Sequence, residues 1–316
     1  MATTMTNTFA AALLLLALSV LVNCSDPEPI PRSAEEIRLE ESCRIDSTSL
    51  RGILAPDSAS LGDLSAEAWI LIDDSTGMLI SGKNIDQRMY PASLTKMMTC
   101  LIALENGNPG DTVQITEDVF VTKDSRVRVG DSFLLRDLIC EMMLQSDNVS
   151  AVAIAKHIAG DTVAFCRMMN EKAAYLTMDS THFVNPNGMP NDSTYSTAVD
   201  LLKLTRYCMR DSSFAQIVGS AFMDIPLTDK RHMPIQNTNL LLGKYDGCIG
   251  VKTGFTRKAG NCLASAATRK GVTLCLVLLR SRSHSSRFSE SETLLDYGFR
   301  VMDVWGQGTH IQNVEP

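Results

Sequence analysis

Hydrophobic and polar positions change their period twice along this chain. Residues 68–72 (AWILI) form a short apolar run, Asp73-Asp74-Ser75-Thr76-Gly77 supplies turn residues, and another short run follows at 78–81, which predicts a β-hairpin at the start of the folded region. From Pro91 the apolar residues recur at helical spacing: Leu94, Met97, Met98, Leu101, Ile102, Leu104. The same period returns at 134–144, 149–158, 163–176 and 198–209, so the middle of the chain reads as helix and loop throughout. After Lys244 the pattern is again that of strands, at 248–252, 262–267 and 272–279, with turns at 254–260 and 269–271 between them. A closing helix fits 288–301. Two strands, a helical block, three strands and a helix predict an α+β domain: one antiparallel sheet of about five strands flanked by helices, with a mainly helical insert.

Ahead of this region lies one stretch apolar enough to consider for a membrane, residues 9–22 (FAAALLLLALSVLV). Its 14 residues fall short of the roughly 20 that a spanning helix needs, and it is read as the core of a signal peptide, although no Lys or Arg precedes Arg32. Leu21-Val22-Asn23-Cys24 then resembles a loose bacterial lipoprotein box, which makes Cys24 a candidate for lipidation; an ordinary cleavage region that contains a cysteine is the alternative. Residues 25–64 are rich in Pro, Ser and acidic residues, with Pro27, Pro29 and Pro31 at alternate positions, as in a tether. The expected organisation is a signal at 1–24, a tether at 25–64, a folded domain at 65–303 and a tail at 304–316. Such a chain is exported to the periplasm or cell envelope, and an N-terminal anchor is its expected membrane contact.

Composition narrows the chemistry. The 316 residues are 45% hydrophobic and 21% charged with a net charge of −7, which fits a globular protein and neither a disordered tail nor a coiled coil. Lys and Arg number 29 against 36 acids and form no basic run, so there is no footprint for a nucleic-acid backbone. None of the nine cysteines falls in a CxxC pair, and the five histidines show no ligand-like spacing and read as ordinary surface or core positions. No metal or organic cofactor is expected.

Three short motifs remain. Ser93-Leu94-Thr95-Lys96 opens the first helix, where positions three apart share a face, so a hydroxyl and an amine lie side by side. A serine needs a base beside it to act as a nucleophile, and a desolvated lysine can be that base. Alone the spacing means little, since Ser with Lys three residues on is expected about once by chance in a chain of this size. Ser146-Asp147-Asn148, 53 residues later, falls between two helical segments. There a hydroxyl and a carboxamide on a tight bend can point the same way. Lys252-Thr253-Gly254 ends a strand, with an ammonium and a hydroxyl beside a residue without a side chain, which suits a substrate lying alongside as an extra strand. Each motif has a bland reading as helix start, turn or strand end; the three in this order point to one cleft.

Together they are the signature of class A β-lactamases and penicillin-binding proteins. From about Ala68 to Phe299 the sequence resembles the low-molecular-mass penicillin-binding proteins, the serine D-alanyl-D-alanine carboxypeptidases. Tyr90 to Thr99 (YPASLTKMMT) is similar to that family's active-site stretch, Thr181 to Gly188 (THFVNPNG) to its inter-helix loop, and Lys252 to Gly260 (KTGFTRKAG) to its catalytic strand. The resemblance implies a β-lactamase/transpeptidase-like fold, a peptidoglycan stem peptide ending in D-Ala-D-Ala as substrate, and β-lactam antibiotics as covalent ligands. It also implies roles for individual residues. Ser93 would be the nucleophile and Lys96 its base, with Ser146 bridging towards Lys252 and Asn148 holding the substrate amide. The backbone N–H groups of Ser93 and Phe255 would face the oxyanion, beside Gly254, and Thr253 and Arg287 would take the terminal carboxylate.

Two departures stand out. Family members often carry a second β-rich domain and an amphipathic C-terminal anchor, whereas 17 residues follow Phe299, which moves the expected anchor to Cys24. Asp147 stands where the carboxypeptidases usually have a small residue, as in the β-lactamases. A class A β-lactamase needs an added glutamate acting through water, and none follows Ser146 at a fitting distance; the nearest acids, Asp161 and Glu171, sit in a helical pattern. Carboxypeptidase is therefore expected, with a β-lactamase or a non-catalytic wall-binding relative as alternatives.

Overall fold

A computed structural model describes residues 61–311, with side chains as far as Trp305. The signal segment at 1–24, Cys24 and nearly all of the tether lie outside the described residues. The first strand, β1 (Ala68–Asp73), shows how the core is built. Successive side chains on a strand point to opposite faces. Ile70 and Ile72 therefore join the larger apolar cluster and Leu71 the smaller one behind it. Strands β8 (Gly260–Arg269) and β9 (Val272–Ser281) repeat the division: Ala264, Ala266, Val277 and Leu279 on one side, Leu263, Leu274, Leu276 and Leu278 on the other. A sheet buried on both faces needs apolar residues at consecutive positions, which is why these strands read as unbroken hydrophobic runs.

The sheet is antiparallel throughout, in the order β2-β1-β9-β8-β7, with β2 at Leu79–Lys83 and β7 at Cys248–Thr256. The N-terminal hairpin thus joins the three later strands, as the pattern predicts. The helices on the larger cluster's side are α1 (Thr95–Asn106), α2 (Leu135–Gln145), α3 (Asn148–Ala159), α4 (Thr162–Tyr175) and α5 (Ala198–Met209). Helix α1 has every residue from Thr95 to Ala103 buried, so it runs through the core instead of lying on it. Three of the five are started by a side-chain cap. Asp147 caps α3, Asp161 caps α4 and Thr197 caps α5, each accepting from backbone N–H groups of the first turn.

The middle of the chain is not all helix and loop. Strands β3 (Thr112–Gln114) and β4 (Ser132–Leu134) pair, as do β5 (Phe222–Pro226) and β6 (His232–Gln236), and helix α6 (Ser212–Gly219) lies between α5 and β5. These strands bury few side chains: Val113 and Phe133 in one pair, Ile225 and Ile235 in the other. Such short strands leave no run long enough to register as a period. The last helix, α7 (Ser286–Ile311), also extends beyond the apolar stretch that predicts it. Val301 and Met302 continue its packing on the smaller cluster.

Helix α7 lies close to the sheet at Gly298. A Cβ there would come within 2.7 Å of Leu274 Cδ1 and 2.9 Å of Leu71 Cδ2. Gly298→Val should therefore destabilise the fold by about 1–3 kcal/mol through overpacking, read as a lower urea midpoint with an unchanged slope.

Candidate active site

Ser93 lies in a 3-10 turn, Ala92–Leu94, that runs directly into α1. Ala92 before it has φ +49°, a left-handed conformation that costs an alanine about 1 kcal/mol. Backbone strain of this kind persists where surrounding contacts over-determine it. Here they come from two glycines. A Cβ on Gly188 (φ +79°) would meet Ala92 O at 2.0 Å, and one on Gly254 of β7 would lie 3.2 Å from both Pro91 O and Ser93 N. The 185–188 loop and the edge strand thus clamp the serine turn from two directions.

One turn further on, Lys96 is wholly buried. Its Nζ donates to Ser93 Oγ (3.1 Å), Asn148 Oδ1 (2.8 Å) and Asn187 O (2.6 Å). Thr99 Oγ1 donates to Pro186 O (2.6 Å), tying the same loop to the same helix. Among the described residues no carboxylate lies within ion-pair distance of Lys96. Burial pulls its pKa down to about 7, against a smaller upward pull from the charges of Asp147 and Glu141. A hydroxyl at 3.1 Å from an amine that is neutral near physiological pH is the arrangement that proton abstraction requires.

Ser146 ends α2 in the left-handed region (φ +62°), which reverses the chain so that α3 begins at Asn148. Asp147, between them, turns inward and accepts from Ser150 N (2.7 Å). It is a helix cap and does not line the cleft, which accounts for an acid at this position. Asp161 likewise caps α4, and Glu171 is an exposed residue of that helix.

Ser93, Ser146 and Asn148 share a cleft of about 520 Å³ with Thr253, Gly254, Phe255 and Arg287. Lys252 is buried behind it, its Nζ donating to Thr253 O (3.1 Å). The described hydrogen bonds contain none from Ser146 to Lys252, so the bridge that the resemblance implies is not formed in this structure. Burial, with the positive charges of Lys96 and Arg287, pulls the Lys252 pKa well down. Arg287, at 4% exposure, donates through Nη1 to Gly254 O (3.2 Å), while its Nε is buried without a partner. Glu290 does not pair with it; that carboxylate accepts from Ser65 N (2.7 Å) and Ser281 Oγ (2.8 Å). Burial also lowers the Arg287 pKa.

Several site residues escape the sequence reading. Thr238 Oγ1 lies 2.7 Å from Thr253 Oγ1, and Gln145, Asn237, Leu240 and His284 line the cleft. His284 is an exposed residue at the rim of the cleft. Its neighbour Arg287 three positions on was the available signal; Thr238, between a hairpin and β7, had none.

A serine beside a buried lysine, on an α+β frame whose edge strand carries lysine, threonine and glycine, has the layout of a serine acyl-transfer site. Residues 55–283 match the model of the D-alanyl-D-alanine carboxypeptidase family, peptidase S11, and the chain belongs to that family. D-alanyl-D-alanine carboxypeptidase DacB2 of Mycobacterium tuberculosis is 33% identical over 253 residues, spanning 77% of this chain and 86% of that one. DacF of Bacillus subtilis is 30% identical over 243 residues, and the match spans 74% of this chain but only 62% of the relative. The crystal structure of the Streptomyces K15 DD-transpeptidase superposes with a TM-score of 0.72 at 30% identity, covering 75% of this chain and 98% of that one.

Gly188→Ala tests the clamp on the serine turn. It should cost about 2–3 kcal/mol of stability and slow acylation of Ser93 by about tenfold or more, measured by chemical denaturation and by the rate of labelling with a fluorescent penicillin.

Proposed function

We propose that this chain is a serine D-alanyl-D-alanine carboxypeptidase acting outside the cytoplasm on peptidoglycan stem peptides, and that β-lactams acylate it at the same serine. The observation that carries this reading is the buried Lys96 amine on Ser93 Oγ, in one cleft with a cation that has no acidic partner. In the forward step Lys96 takes the Ser93 proton as Oγ bonds to the carbonyl carbon between the two D-alanines. The C–N bond then breaks, the proton passes through Ser146 to the leaving amine, and D-alanine departs. Water attacks the acyl-enzyme in the same way and frees the shortened peptide.

The backbone N–H groups of Ser93 and Phe255 serve the oxyanion, a contribution of about 3 kcal/mol for each such donor. Asn148, whose Oδ1 is held by Lys96, offers its Nδ2 to the substrate amide. Arg287 and Thr253 take the terminal carboxylate, and support for this comes from the unpartnered Nε: a buried guanidinium N–H demands an acceptor, and a substrate carboxylate supplies one. The residues lining the cleft include no Asp or Glu, so nothing there activates water as a class A β-lactamase does. Attachment of the mature chain through a lipid on Cys24 belongs to the same proposal; mass spectrometry of the native N-terminus tests it.

Ser93→Ala should abolish covalent capture of penicillin with little change in thermal stability, and the acyl-enzyme of the parent should persist through many substrate turnovers. Rapid turnover of penicillin would replace the carboxypeptidase reading by the β-lactamase one. Arg287→Ala should cost about 2–4 kcal/mol in kcat/KM on a peptide with a free C-terminus and far less on the amidated peptide. Equal losses on both would make Arg287 a support of the fold.

A further inference from the structure

Among the described residues every methionine but one is buried or half-buried; the exception is Met189, at 42% exposure. It follows Gly188 in the loop that clamps the serine turn. Its backbone is pinned at both ends: Asn187 Oδ1 accepts from Met189 N (3.0 Å), and Asn185 Nδ2 donates to Met189 O (3.0 Å). Only the side chain is left to move. Its Sδ accepts from Asn148 Nδ2 at 3.7 Å, while the Oδ1 of the same carboxamide is taken by Lys96 Nζ (2.8 Å). The most accessible sulfur of the described chain thus lies on the donor end of a cleft residue. A thioether is a weak acceptor, so a substrate carbonyl displaces it from Nδ2 at little cost. A sulfoxide is polar, and its oxygen is a far stronger acceptor. The thiols compete poorly for an oxidant, because burial raises the pKa values of Cys100, Cys140, Cys166, Cys248, Cys262 and Cys275 and keeps them protonated.

We propose that Met189 is an oxidation site through which a peroxide turns the cleft down. The inference rests on the reading of Asn148 as the group that holds the substrate amide. In the step itself a lone pair of Sδ attacks one peroxide oxygen. The S–O bond forms as the O–O bond breaks, and the other oxygen leaves with the protons as water. Sulfur gives up two electrons and becomes the sulfoxide, and hydrogen peroxide takes up the same two. The new oxygen lies on the side of Asn148, accepts its Nδ2 hydrogen and does not yield it to a substrate carbonyl. The change is reversible, since a methionine sulfoxide reductase with a thiol as reductant returns the thioether.

The test is the second-order rate of acylation of the full chain by a fluorescent penicillin, before treatment with hydrogen peroxide and after its removal, with the oxidised residues located by mass spectrometry. The parent should gain an oxygen at Met189 before the half-buried methionines do, and its rate should fall about five- to tenfold, the worth of one hydrogen bond. Incubation with the reductase should restore the rate. Met189→Leu keeps an apolar side chain of similar volume and should acylate equally fast with and without peroxide treatment. Asn148→Ala should acylate slowly and lose nothing further on oxidation. Oxidation of Met189 without loss of rate, or an equal loss in Met189→Leu, would overturn the inference. An Asn148→Ala variant as fast as the parent would instead overturn the reading of Asn148 on which it rests.

Discussion

Everything in the cleft depends on keeping water away from one amine. An exposed lysine is an ammonium at neutral pH and has no lone pair to offer. Lys96 escapes this because α1 carries it through the core, and because the carbonyl of Asn187 and the carboxamide of Asn148 take up the two hydrogens of the neutral amine without adding a charge, leaving its lone pair for the Ser93 hydroxyl. These three partners come from three separate parts of the chain. The loop at 185–188, the bend between α2 and α3 and the turn before α1 must all be in place before the amine is dry.

The same economy of negative charge marks the whole cleft. Lys96, Lys252 and Arg287 are buried near one another, and among the described residues none has a carboxylate at ion-pair distance. Arg206, equally buried, shows the ordinary structural solution, with Asp74 Oδ1 at 2.8 Å. A buried arginine left without an acidic partner is costly to the fold and raises local affinity for anions. Under the proposed function a peptide that ends in a carboxylate would relieve that cost on binding at Arg287, whose charge also helps to lower the Lys252 pKa.

Much of this was legible in the sequence, and the parts that were not share a physical cause. The five-stranded sheet is written in runs such as AWILI and LCLVLL because both its faces are covered. Ser93, Lys96, Ser146, Asn148 and Lys252 are close in sequence within their motifs, so helix and bend geometry bring each pair together. Asn187 contributes a backbone carbonyl, which no side-chain pattern reveals. Thr238 and His284 reach the cleft only through tertiary packing of β7 and α7. The short pairs β3–β4 and β5–β6 bury a single side chain per strand and carry no period, and the hydrogen bond from Ser146 to Lys252, implied by resemblance, depends on side-chain rotamers that the sequence does not encode.

The central claim, that burial makes Lys96 a neutral base, can be measured without any substrate. Side-chain carbon NMR of the protein with labelled lysines, assigned through Lys96→Arg, should show the Lys96 Cε resonance titrating near pH 7. A Lys96 resonance that titrates with the bulk of the lysines, at about pH 10.4, would contradict the account.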